Sequence, residues 1–288
     1  MNDELSVVLV TYNSDKQTLS NCIKNINNNI KIIIVDNSSI LKPVDFEKQS
    51  NKEISIIHSE NHGNGEGINI GVKHSSTKYV LYLDVDTEID EGFIENIYEY
   101  AKKIKKFAIL APKQDSLSYT YRNQDIINEY KEYLEMRFVP GSIMLINVDN
   151  TYKNNIRFDK NIFLYWEESD FFFQCLKKGE KIYLLKNLNA KHFGDSSIEK
   201  KYSDEINLNR NWHYMWSKFY YFKKNYGYIR AYRETLKQFI SSLFRYLIYT
   251  ILKNNKNKIY KERLSGLYNS YLGYPSSRRP NISNENYK

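Results

Sequence analysis

Cysteine is scarce in this sequence, and long apolar runs are absent. Its two cysteines, Cys22 and Cys175, lie far apart on predicted helices, which indicates buried thiols in a reducing compartment rather than a disulfide framework. No run reaches the roughly 18 apolar residues that a helix needs to cross a bilayer. The start of the chain, Met1 to Glu4, is polar and acidic, unlike a secretory signal peptide, so we expect a cytoplasmic location.

Two common nucleotide-binding signatures are also missing. A glycine-rich run at residues 61–71 lacks the Gly-Lys-Ser/Thr of a P-loop, and it follows the third predicted strand rather than the first, unlike a dinucleotide-binding fingerprint. Its glycines still permit a close approach of the backbone to a ligand. No DNA- or RNA-binding motif is recognisable, and we expect no nucleic-acid partner.

Basic and aromatic residues, in contrast, are plentiful. The 42 Lys and Arg exceed the 34 Asp and Glu, and the net charge of +8 favours an anionic partner such as a nucleotide or a phospholipid surface. The 26 tyrosines suit stacking on sugars or bases, or a membrane interface, although codon bias is an equal alternative explanation. The basic excess is concentrated from residue 218 onward.

The first half of the chain alternates short β-favouring runs with helical patterns, which predicts βαβ units, a mostly parallel sheet and the α/β fold class. Strands are predicted at residues 6–10, 31–35, 54–57, 79–83, 107–111, 138–146 and 181–185. The strand at 138–146 is interrupted by Pro140-Gly141-Ser142. Helices are predicted at residues 16–26, 67–75, 91–103, 168–178, 204–225 and 236–252, with a loop or flap at 112–137. The chain is thereby divided into an α/β domain over residues 1–225, an amphipathic helical region over 226–274 and a disordered tail over 275–288.

Three of the predicted strands end in polar clusters. Residues 11–13 follow the first strand, Asp36 ends the second, and Asp84 with Asp86 follows the fourth. Open α/β sheets bind ligands at the carboxyl ends of their strands, so we expect these clusters to converge. Asp84 and Asp86 would repel each other unless a cation lies between them, which indicates a divalent metal and a phosphate-bearing substrate. A solvated turn is the alternative interpretation.

Other titratable residues each carry two interpretations. Asp36 would accept hydrogen bonds from a base or a ribose, or it would cap the next element. Glu167, Glu168 and Asp170 at a predicted helix start would complement the helix dipole, or one of them would act as a general base on an acceptor hydroxyl. His192, which follows a β run, would complete the metal site or fill a purely structural role.

Taken together, these clusters resemble glycosyltransferase family 2, in particular its bacterial rhamnosyltransferase-like members. The resemblance covers about residues 5–225, and the matching segments occur in the family's order. The segments are Val10-Thr11-Tyr12-Asn13, Val35-Asp36-Asn37-Ser38-Ser39, residues 61–71, Leu83-Asp84-Val85-Asp86, Pro140-Gly141-Ser142, Phe163-Leu164-Tyr165-Trp166-Glu167-Glu168-Ser169-Asp170 and His192-Phe193-Gly194-Asp195-Ser196.

The resemblance implies a GT-A fold and a Mg²⁺ or Mn²⁺ ion on the diphosphate of the donor. The metal ligands would be Asp84, Asp86 and His192. The general base would be Glu168, with Glu167 and Asp170 as alternatives, because the family usually has Glu-Asp where this chain has Glu-Glu. The residues that bind the donor would be Thr11, Tyr12, Asn13, Asp36, Asn61, Gly65, Asn69 and Asp84.

The implied activity is the metal-dependent, inverting transfer of one sugar, rhamnose or another hexose, from a nucleotide-diphosphate sugar to a glycan or lipid-linked acceptor. The product would be bacterial capsule, O-antigen or a similar surface polysaccharide, and the protein would work in the cytoplasm or peripherally at the inner face of the cell membrane. Processive family members carry a Gln-x-x-Arg-Trp motif and membrane helices; this chain lacks both, so we expect transfer of a single sugar rather than long-chain polymerisation.

Two rival functions and the role of one helix stay open. The rivals are a sugar-phosphate nucleotidyltransferase and a non-catalytic protein that binds nucleic acid or membranes. The helix at 236–252 has a broad apolar face, which suits a membrane surface, a homodimer seam or packing on the catalytic domain.

Overall fold

The computed structural model describes residues 1, 3–14, 16–38, 52–115, 122–194 and 203–280. Contacts between Cα atoms divide the chain into two compact units. The sheet unit comprises Met1–His62, Glu66–Phe158 and Phe171–Glu199, and the helical unit comprises Gly63–Gly65, Asp159–Asp170 and Lys200–Lys288. A functional domain boundary at residue 225 therefore stays a prediction.

Several predicted features lie outside the described residues. They are Ser39, Asp195 and Ser196 of the family motifs, residues 116–121 of the predicted flap and residues 281–288 of the predicted tail.

Within the described ranges, ten strands form one sheet. They are β1 (Leu5–Thr11), β2 (Ile32–Asp36), β3 (Ile54–His58), β4 (Tyr79–Leu83), β5 (Thr87–Glu88), β6 (Ile109–Asp115), β7 (Ile126–Glu129), β8 (Tyr133–Met136), β9 (Ile143–Asn147) and β10 (Ile182–His192). Their order is β3-β2-β1-β4-β9-β6-β10-β8-β7, and β5 pairs with β10. Because β3, β2, β1 and β4 are parallel neighbours, their carboxyl ends meet at one edge.

Both faces of this sheet are buried, as the apolar strands predict. Val7 and Leu9 of β1 join one core cluster, whereas Val8 joins the cluster on the opposite face. Helices α1 (Lys16–Ile23) and α3 (Phe93–Lys103) contribute to the first cluster, and α2 (Asn64–Ser75) and α4 (Glu167–Lys177) contribute to the second. The predicted α/β class is confirmed.

Both predicted buried thiols are also confirmed. Cys22 on α1 and Cys175 on α4 are buried and free.

The segment between residues 107 and 146 differs from its prediction. Strand β6 begins at Ile109 and continues to Asp115, inside the segment that was predicted to be a loop. The same segment also contains the hairpin β7–β8, where Leu134 and Met136 are buried in the core. The predicted interruption at residues 140–142 separates residues 138 and 139 from β9, which begins at Ile143, because Pro140 lacks the N–H that a strand ladder needs.

The helical unit contains α5 (Ser203–Tyr226), α6 (Tyr228–Ile251) and α7 (Asn257–Tyr271). Helix α5 was predicted closely, α6 begins at Tyr228 rather than at residue 236, and α7 was not predicted. A Cβ atom on Gly266 of α7 would lie 2.2 Å from the carbonyl oxygen of Trp212 on α5, so glycine permits this close packing. Contacts through small residues lack the apolar period that reveals a helix. None of the helices in the described part of the chain combines the length and the hydropathy needed to span a bilayer.

Residues 275–280, predicted to be disordered, make specific contacts within the helical unit. The Nε2–H of His213 donates to the carbonyl oxygen of Arg278 at 2.9 Å, and the hydroxyl of Ser276 donates to His213 Nδ1 at 3.0 Å. The Arg278 guanidinium also pairs with Glu262 at 2.9 Å. Ser276 and Arg278 thus have buried or charged partners, whereas a disordered tail over residues 275–288 stays a prediction.

Candidate active site

The loop that carries Asp84 and Asp86 is shaped by backbone hydrogen bonds at the end of β4. The five residues of β4 are apolar or aromatic and buried, and the strand stops where the polar residues begin. Asp84 N–H donates to the carbonyl oxygen of Ser142 at 2.8 Å. The N–H and hydroxyl of Thr87 both donate to the Asp84 carbonyl oxygen, at 3.1 and 2.7 Å. These bonds close a turn and fix the backbone of both aspartates.

His192 is brought to the same turn by the pairing of β5 with β10. His192 is the register partner of Thr87, and Phe193 N–H donates to the Asp86 carbonyl oxygen at 3.0 Å. The Nε2 atom of His192 lies 3.3 Å from Asp86 Oδ1 and 3.9 Å from Asp84 Oδ2. The structure therefore brings together the three residues that the sequence predicted as metal ligands.

This cluster has the chemistry of a site for a hard divalent cation. Each residue offers a ligand atom, and these atoms all lie within 4.8 Å of one another. The side chains of Asp84, Asp86 and His192 are 31%, 9% and 18% exposed, so the set is shielded yet still open on one side. Carboxylate oxygens suit both Mg²⁺ and Mn²⁺, and the imidazole adds a nitrogen ligand, which transition metals accept more readily than Mg²⁺ does. The residues present fit either ion.

The thiol of Cys22 lies beneath this turn. Its Sγ is 3.5 Å from the Asp84 carbonyl oxygen. Burial, with a smaller contribution from the charges of Asp84 and Asp86, raises the pKa of Cys22 to about 12. The thiol is therefore protonated at neutral pH and acts as a packing group.

Asp36 lies at the same sheet edge and is fully buried. Its Oδ1 accepts hydrogen bonds from the Thr11 hydroxyl and the Ser38 N–H, both at 3.0 Å, and His58 Nδ1 lies 3.0 Å from its Oδ2. The buried Asn13 has a left-handed backbone (φ 49°), and its N–H donates to the Ser38 hydroxyl at 2.7 Å. The ends of β1, β2 and β3 are thus joined through one carboxylate.

His58 was missed by the sequence reasoning. It is the last residue of β3 and the register partner of Asp36. The rule that identified Asp36, a polar residue at the carboxyl end of a parallel strand, also applies to His58 and would have found it.

The glycine-rich run serves close packing of α2 against β1. Cβ atoms on Gly67 and Gly71 would lie 2.7 Å from Val10 Cγ1 and 2.4 Å from Val8 Cγ1, so two glycines one helical turn apart let the helix approach the strand. Gly65 is buried and Asn61 is partly buried, and donor binding by either residue stays a prediction.

Asn69 has a structural role that its predicted donor-binding role would disturb. Its side-chain oxygen accepts from the Tyr152 hydroxyl at 2.8 Å and from Phe158 N–H at 3.2 Å. Its side-chain nitrogen donates to Glu66 at 2.7 Å and to the Phe158 carbonyl oxygen at 2.9 Å. All four hydrogen-bonding positions of this amide are therefore used within the sheet unit.

The three acidic residues at the start of α4 lie in different environments within the helical unit. Asp170 is fully buried and accepts hydrogen bonds from Lys224 Nζ at 2.7 Å and Asn225 Nδ2 at 2.9 Å. Glu167 is buried, and Glu168 is partly exposed. Burial raises the pKa of Glu168, opposed by a hydrogen bond from its own backbone. Glu168 thus best combines access with the raised pKa that suits a general base.

The residues just before these carboxylates have an unusual backbone. Tyr165 and Trp166 both adopt left-handed conformations, with φ of 63° and 69°. Such conformations cost about 1–3 kcal/mol each for residues other than glycine, and they concentrate at functional loops. The Trp166 ring packs among Tyr214, Tyr221 and Phe222, which holds the strained turn in place.

A sequence model described as Glycosyl transferase family 2 matches residues 6–167, more than half of the chain. The chain belongs to glycosyl transferase family 2. The match begins in β1 and ends at Glu167, so it includes the residues at the sheet edge and the Asp84–Asp86 turn.

Two curated glycosyltransferases are similar to the chain at low identity. The low-salt glycan biosynthesis hexosyltransferase Agl10 of Haloferax volcanii is 24% identical over 213 residues, which are 67% of this chain and 68% of that protein. The cholesterol galactosyltransferase of Borreliella burgdorferi is 26% identical over 239 residues, which are 72% of this chain and 66% of that protein.

Solved glycosyltransferase structures share the fold. S. aureus TarS 1–349 in complex with UDP has a TM-score of 0.56 at 13% identity, covering 98% of this chain and 94% of that one. GalNAc-T7 with UDP, GalNAc and Mn²⁺ has a TM-score of 0.59 at 12% identity, covering 77% of this chain and 50% of that one. The chain thus spans about half of GalNAc-T7. The predicted GT-A fold is confirmed.

Proposed function

We propose that this glycosyltransferase is metal-dependent and inverting and moves one sugar from a nucleotide-diphosphate sugar to a hydroxyl acceptor. The observation that carries the proposal is the convergence of Asp84, Asp86 and His192 at the edge of a GT-A sheet. A bound Mg²⁺ or Mn²⁺ would neutralise the negative charge that develops on the departing diphosphate.

The donor nucleotide would lie along the neighbouring strand ends. Thr11, Tyr12, Asn13 and Asp36 follow or end β1 and β2, next to the strand that leads into the Asp84 turn. Asp36 would accept a hydrogen bond from the base or ribose at a lone pair that Thr11, Ser38 and His58 leave available. Complexes of TarS with UDP-GlcNAc and of GalNAc-T7 with UDP support a nucleotide-sugar donor.

Glu168 would act as the general base. Its carboxylate takes the proton of the acceptor hydroxyl as that oxygen attacks the anomeric carbon. The bond between that carbon and the diphosphate oxygen breaks, and the nucleoside diphosphate leaves with the electron pair. Attack from the face opposite the leaving group inverts the anomeric configuration.

The sugar and acceptor are proposed by chemical class. The two curated relatives are named as a hexosyltransferase and a galactosyltransferase, which supports a hexose, with rhamnose as one candidate. A glycan or lipid-linked acceptor in bacterial surface polysaccharide synthesis would bring the protein to the inner face of the cell membrane. The missing Gln-x-x-Arg-Trp motif supports transfer of a single sugar.

A donor-turnover assay tests this proposal. Release of nucleoside diphosphate from a panel of nucleotide-sugars is measured with Mn²⁺, with Mg²⁺ and with a chelator. We expect turnover of one donor class only with the cation, and its loss in Asp86→Ala. The control variant is Asp90→Ala, because Asp90 is exposed and lies in the same loop region outside the cluster.

Three results would contradict parts of the proposal. Full activity in chelator would exclude the metal role. An NMR spectrum showing a product with retained anomeric configuration would exclude inversion. Pyrophosphate release from a nucleoside triphosphate and a sugar phosphate would identify a nucleotidyltransferase instead.

A further inference from the structure

Helix α6 packs against the helices beside it mainly through small and polar residues, together with the rings of Tyr232 and Phe239, which contact Tyr271 of α7. Its buried residues are Ala231, Thr235 and Ser242. The Thr235 hydroxyl lies 3.1 Å from the Tyr271 hydroxyl of α7, a polar contact within this packed face. These residues follow helical spacing, so they mark one continuous face of α6.

The opposite face of α6 is apolar and exposed. Leu236, Ile240, Leu243 and Leu247 are 54%, 58%, 40% and 51% exposed. At about 100° per residue they lie within a narrow stripe that points away from Ala231 and Ser242. The outer stripe is defined by these four residues and is extended by Ile229, Phe244, Ile248 and Ile251, which are also exposed. A helix of 24 residues carries it over roughly 36 Å.

Nearly all of the net charge of the chain lies in the same region. Residues 227–274 contain nine Lys and Arg but two acidic residues, a net charge of +7 out of +8 for the whole chain. Both acids are paired with arginine, Glu234 with Arg230 at 2.7 Å and Glu262 with Arg278 at 2.9 Å. Arg233 and Lys237 are exposed along one border of the outer stripe.

We propose that the outer stripe docks on a bilayer that contains anionic lipid, with α6 lying in the plane of the interface. The apolar residues would enter the acyl boundary, and the basic residues would meet lipid phosphates, as in interfacial amphipathic helices. Helix α7 runs back along α6, since Tyr271 contacts Thr235 and Tyr260 contacts Arg245. Three exposed tyrosines at one end of this pair of helices, Tyr226, Tyr228 and Tyr274, suit the headgroup level. The choice of the inner leaflet rests on the proposed function; the surface itself shares no residue with the candidate site.

The charge also argues against a second copy of the chain as the occupant. A symmetric dimer through the outer stripe would bring two segments of charge +7 together, and like charges at that distance oppose association. An anionic surface complements both the apolar stripe and its basic border.

Vesicle binding tests the proposal on the full chain. Sedimentation with vesicles of phosphatidylcholine alone is compared with vesicles containing about one third phosphatidylglycerol. We expect binding to the anionic vesicles, weakened by salt, and little binding to the neutral ones. Replacing Arg233 and Lys237 by Gln should lower partitioning about 25-fold, because each basic residue near an anionic surface contributes about fivefold.

Matched variants separate the stripe from general surface effects. Leu243→Glu should reduce vesicle binding more than about tenfold. Ile127→Glu on β7 should not, and it is a matched control because Ile127 is 38% exposed and Leu243 is 40% exposed. Lys105→Gln with Lys106→Gln is the charge control, since both lysines are exposed on the sheet unit. The Arg233 and Lys237 pair still tests the surface if Leu243→Glu fails to fold.

Two outcomes would overturn the proposal. One is equal binding of the wild type and the Arg233 and Lys237 variant to anionic vesicles. The other is a wild-type dimer by light scattering that Leu243→Glu converts to a monomer, with no vesicle binding by either protein. If Leu243→Glu or the Arg233 and Lys237 variant loses vesicle binding but still hydrolyses the donor, the result supports docking and leaves the proposed chemistry in place.

Discussion

Thr87 and His192 are partners in the two-residue antiparallel ladder between β5 and β10. The ladder places the imidazole of His192 beside the carboxylates of Asp84 and Asp86 through backbone pairing alone. The candidate metal site is therefore preorganised by the sheet, and its third ligand comes from a strand about a hundred residues further along the chain.

His192→Gln should weaken Mn²⁺ binding while leaving the fold intact. The ladder that positions residue 192 is made by backbone atoms, so only the ligand atom is lost. We expect Mn²⁺ affinity to fall by more than about tenfold, because even the loss of a group that only hydrogen-bonds to a metal ligand typically costs about ten- to a hundredfold. Isothermal titration with Mn²⁺ measures this. The control is His74→Gln, because His74 is exposed on α2. Unchanged Mn²⁺ affinity in His192→Gln would exclude His192 as a ligand.

Glu168→Gln should lower kcat by about 10²- to 10⁴-fold, the usual contribution of a general base, with donor affinity retained. Glu168→Asp should keep part of the activity, because it preserves the carboxylate. The base must be ionised to work, so activity should fall as pH drops through its pKa. Because burial raises that pKa, the acid limb should lie above the ordinary Glu value of about 4.3.

The same series identifies the base among the acidic residues. If Glu167→Gln shows the larger loss and Glu168→Gln remains active with an unchanged pH profile, the base is Glu167. Steady-state kinetics across pH, with donor binding measured separately, separates these cases.

Asp170→Asn should act mainly on stability. Asp170 is fully buried and pairs with Lys224, whose side chain is 33% exposed. Burial opposes the charge of Lys224, but hydrogen bonds to Asp159 and Asp170 raise its pKa overall. Removing one member of a buried ion pair lowers the free energy of unfolding by about 3–5 kcal/mol. Because Lys224 is partly exposed, we expect Asp170→Asn to lower it by about 2–3 kcal/mol.

Urea unfolding of Asp170→Asn and Lys224→Met measures this cost. The control is Glu99→Gln, which breaks the exposed Glu99–Lys102 pair and should cost under about 1 kcal/mol. If Asp170→Asn is as stable as the wild type, the buried pair does not contribute as described.

His213 should make the helical unit sensitive to acid. Burial, together with the charges of Arg279 and Arg278, lowers the pKa of His213 to about 3, although its hydrogen bond to the Arg278 carbonyl opposes this. The unfolded chain, with a His pKa of about 6.5, then binds the proton that the folded chain does not. Above pH 6.5 the neutral His213 makes its full contribution to the free energy of unfolding. As the pH falls from 6.5 toward 3, that free energy should decrease by about 1.4 kcal/mol per pH unit.

Comparing His213→Gln with the wild type isolates that contribution from the titrating carboxylates. Urea midpoints at several pH values between 7.5 and 4 are expected to fall more steeply for the wild type. Parallel curves would show that His213 is not the titrating group.

The parts of the fold that the sequence predicted well are those with strong apolar patterns. Strand β4 matches its prediction residue for residue, because a run of buried β-favouring side chains stops at charged ones. Asp84, Asp86 and Asp36 were placed at one sheet edge by the strand-end rule alone. His192 was also predicted, although only the ladder with Thr87 explains how it reaches the turn.

Features that depend on tertiary partners were not predictable in this way. Helix α7 buries Gly266, Leu267 and Ser270, of which only Leu267 is a large apolar residue, so its apolar period is weak. For the apolar stripe on α6 the sequence left a membrane surface, a dimer seam and packing on the catalytic domain open, because an apolar stripe normally faces the protein. The hydrogen bonds of Asn69 and the ion pair of Asp170 likewise depend on residues far away in the chain.

The contacts of residues 275–280 bear on how the protein can be shortened. Composition alone would suggest trimming after Tyr274, yet the next residues hold His213 and place the Arg279 guanidinium 3.8 Å from the centre of the Phe163 ring. Phe163 lies just before the strained turn that leads to Glu167 and Glu168. Removing this apparent tail would withdraw support from the loop carrying the proposed base, so an affinity tag is better attached at the amino end.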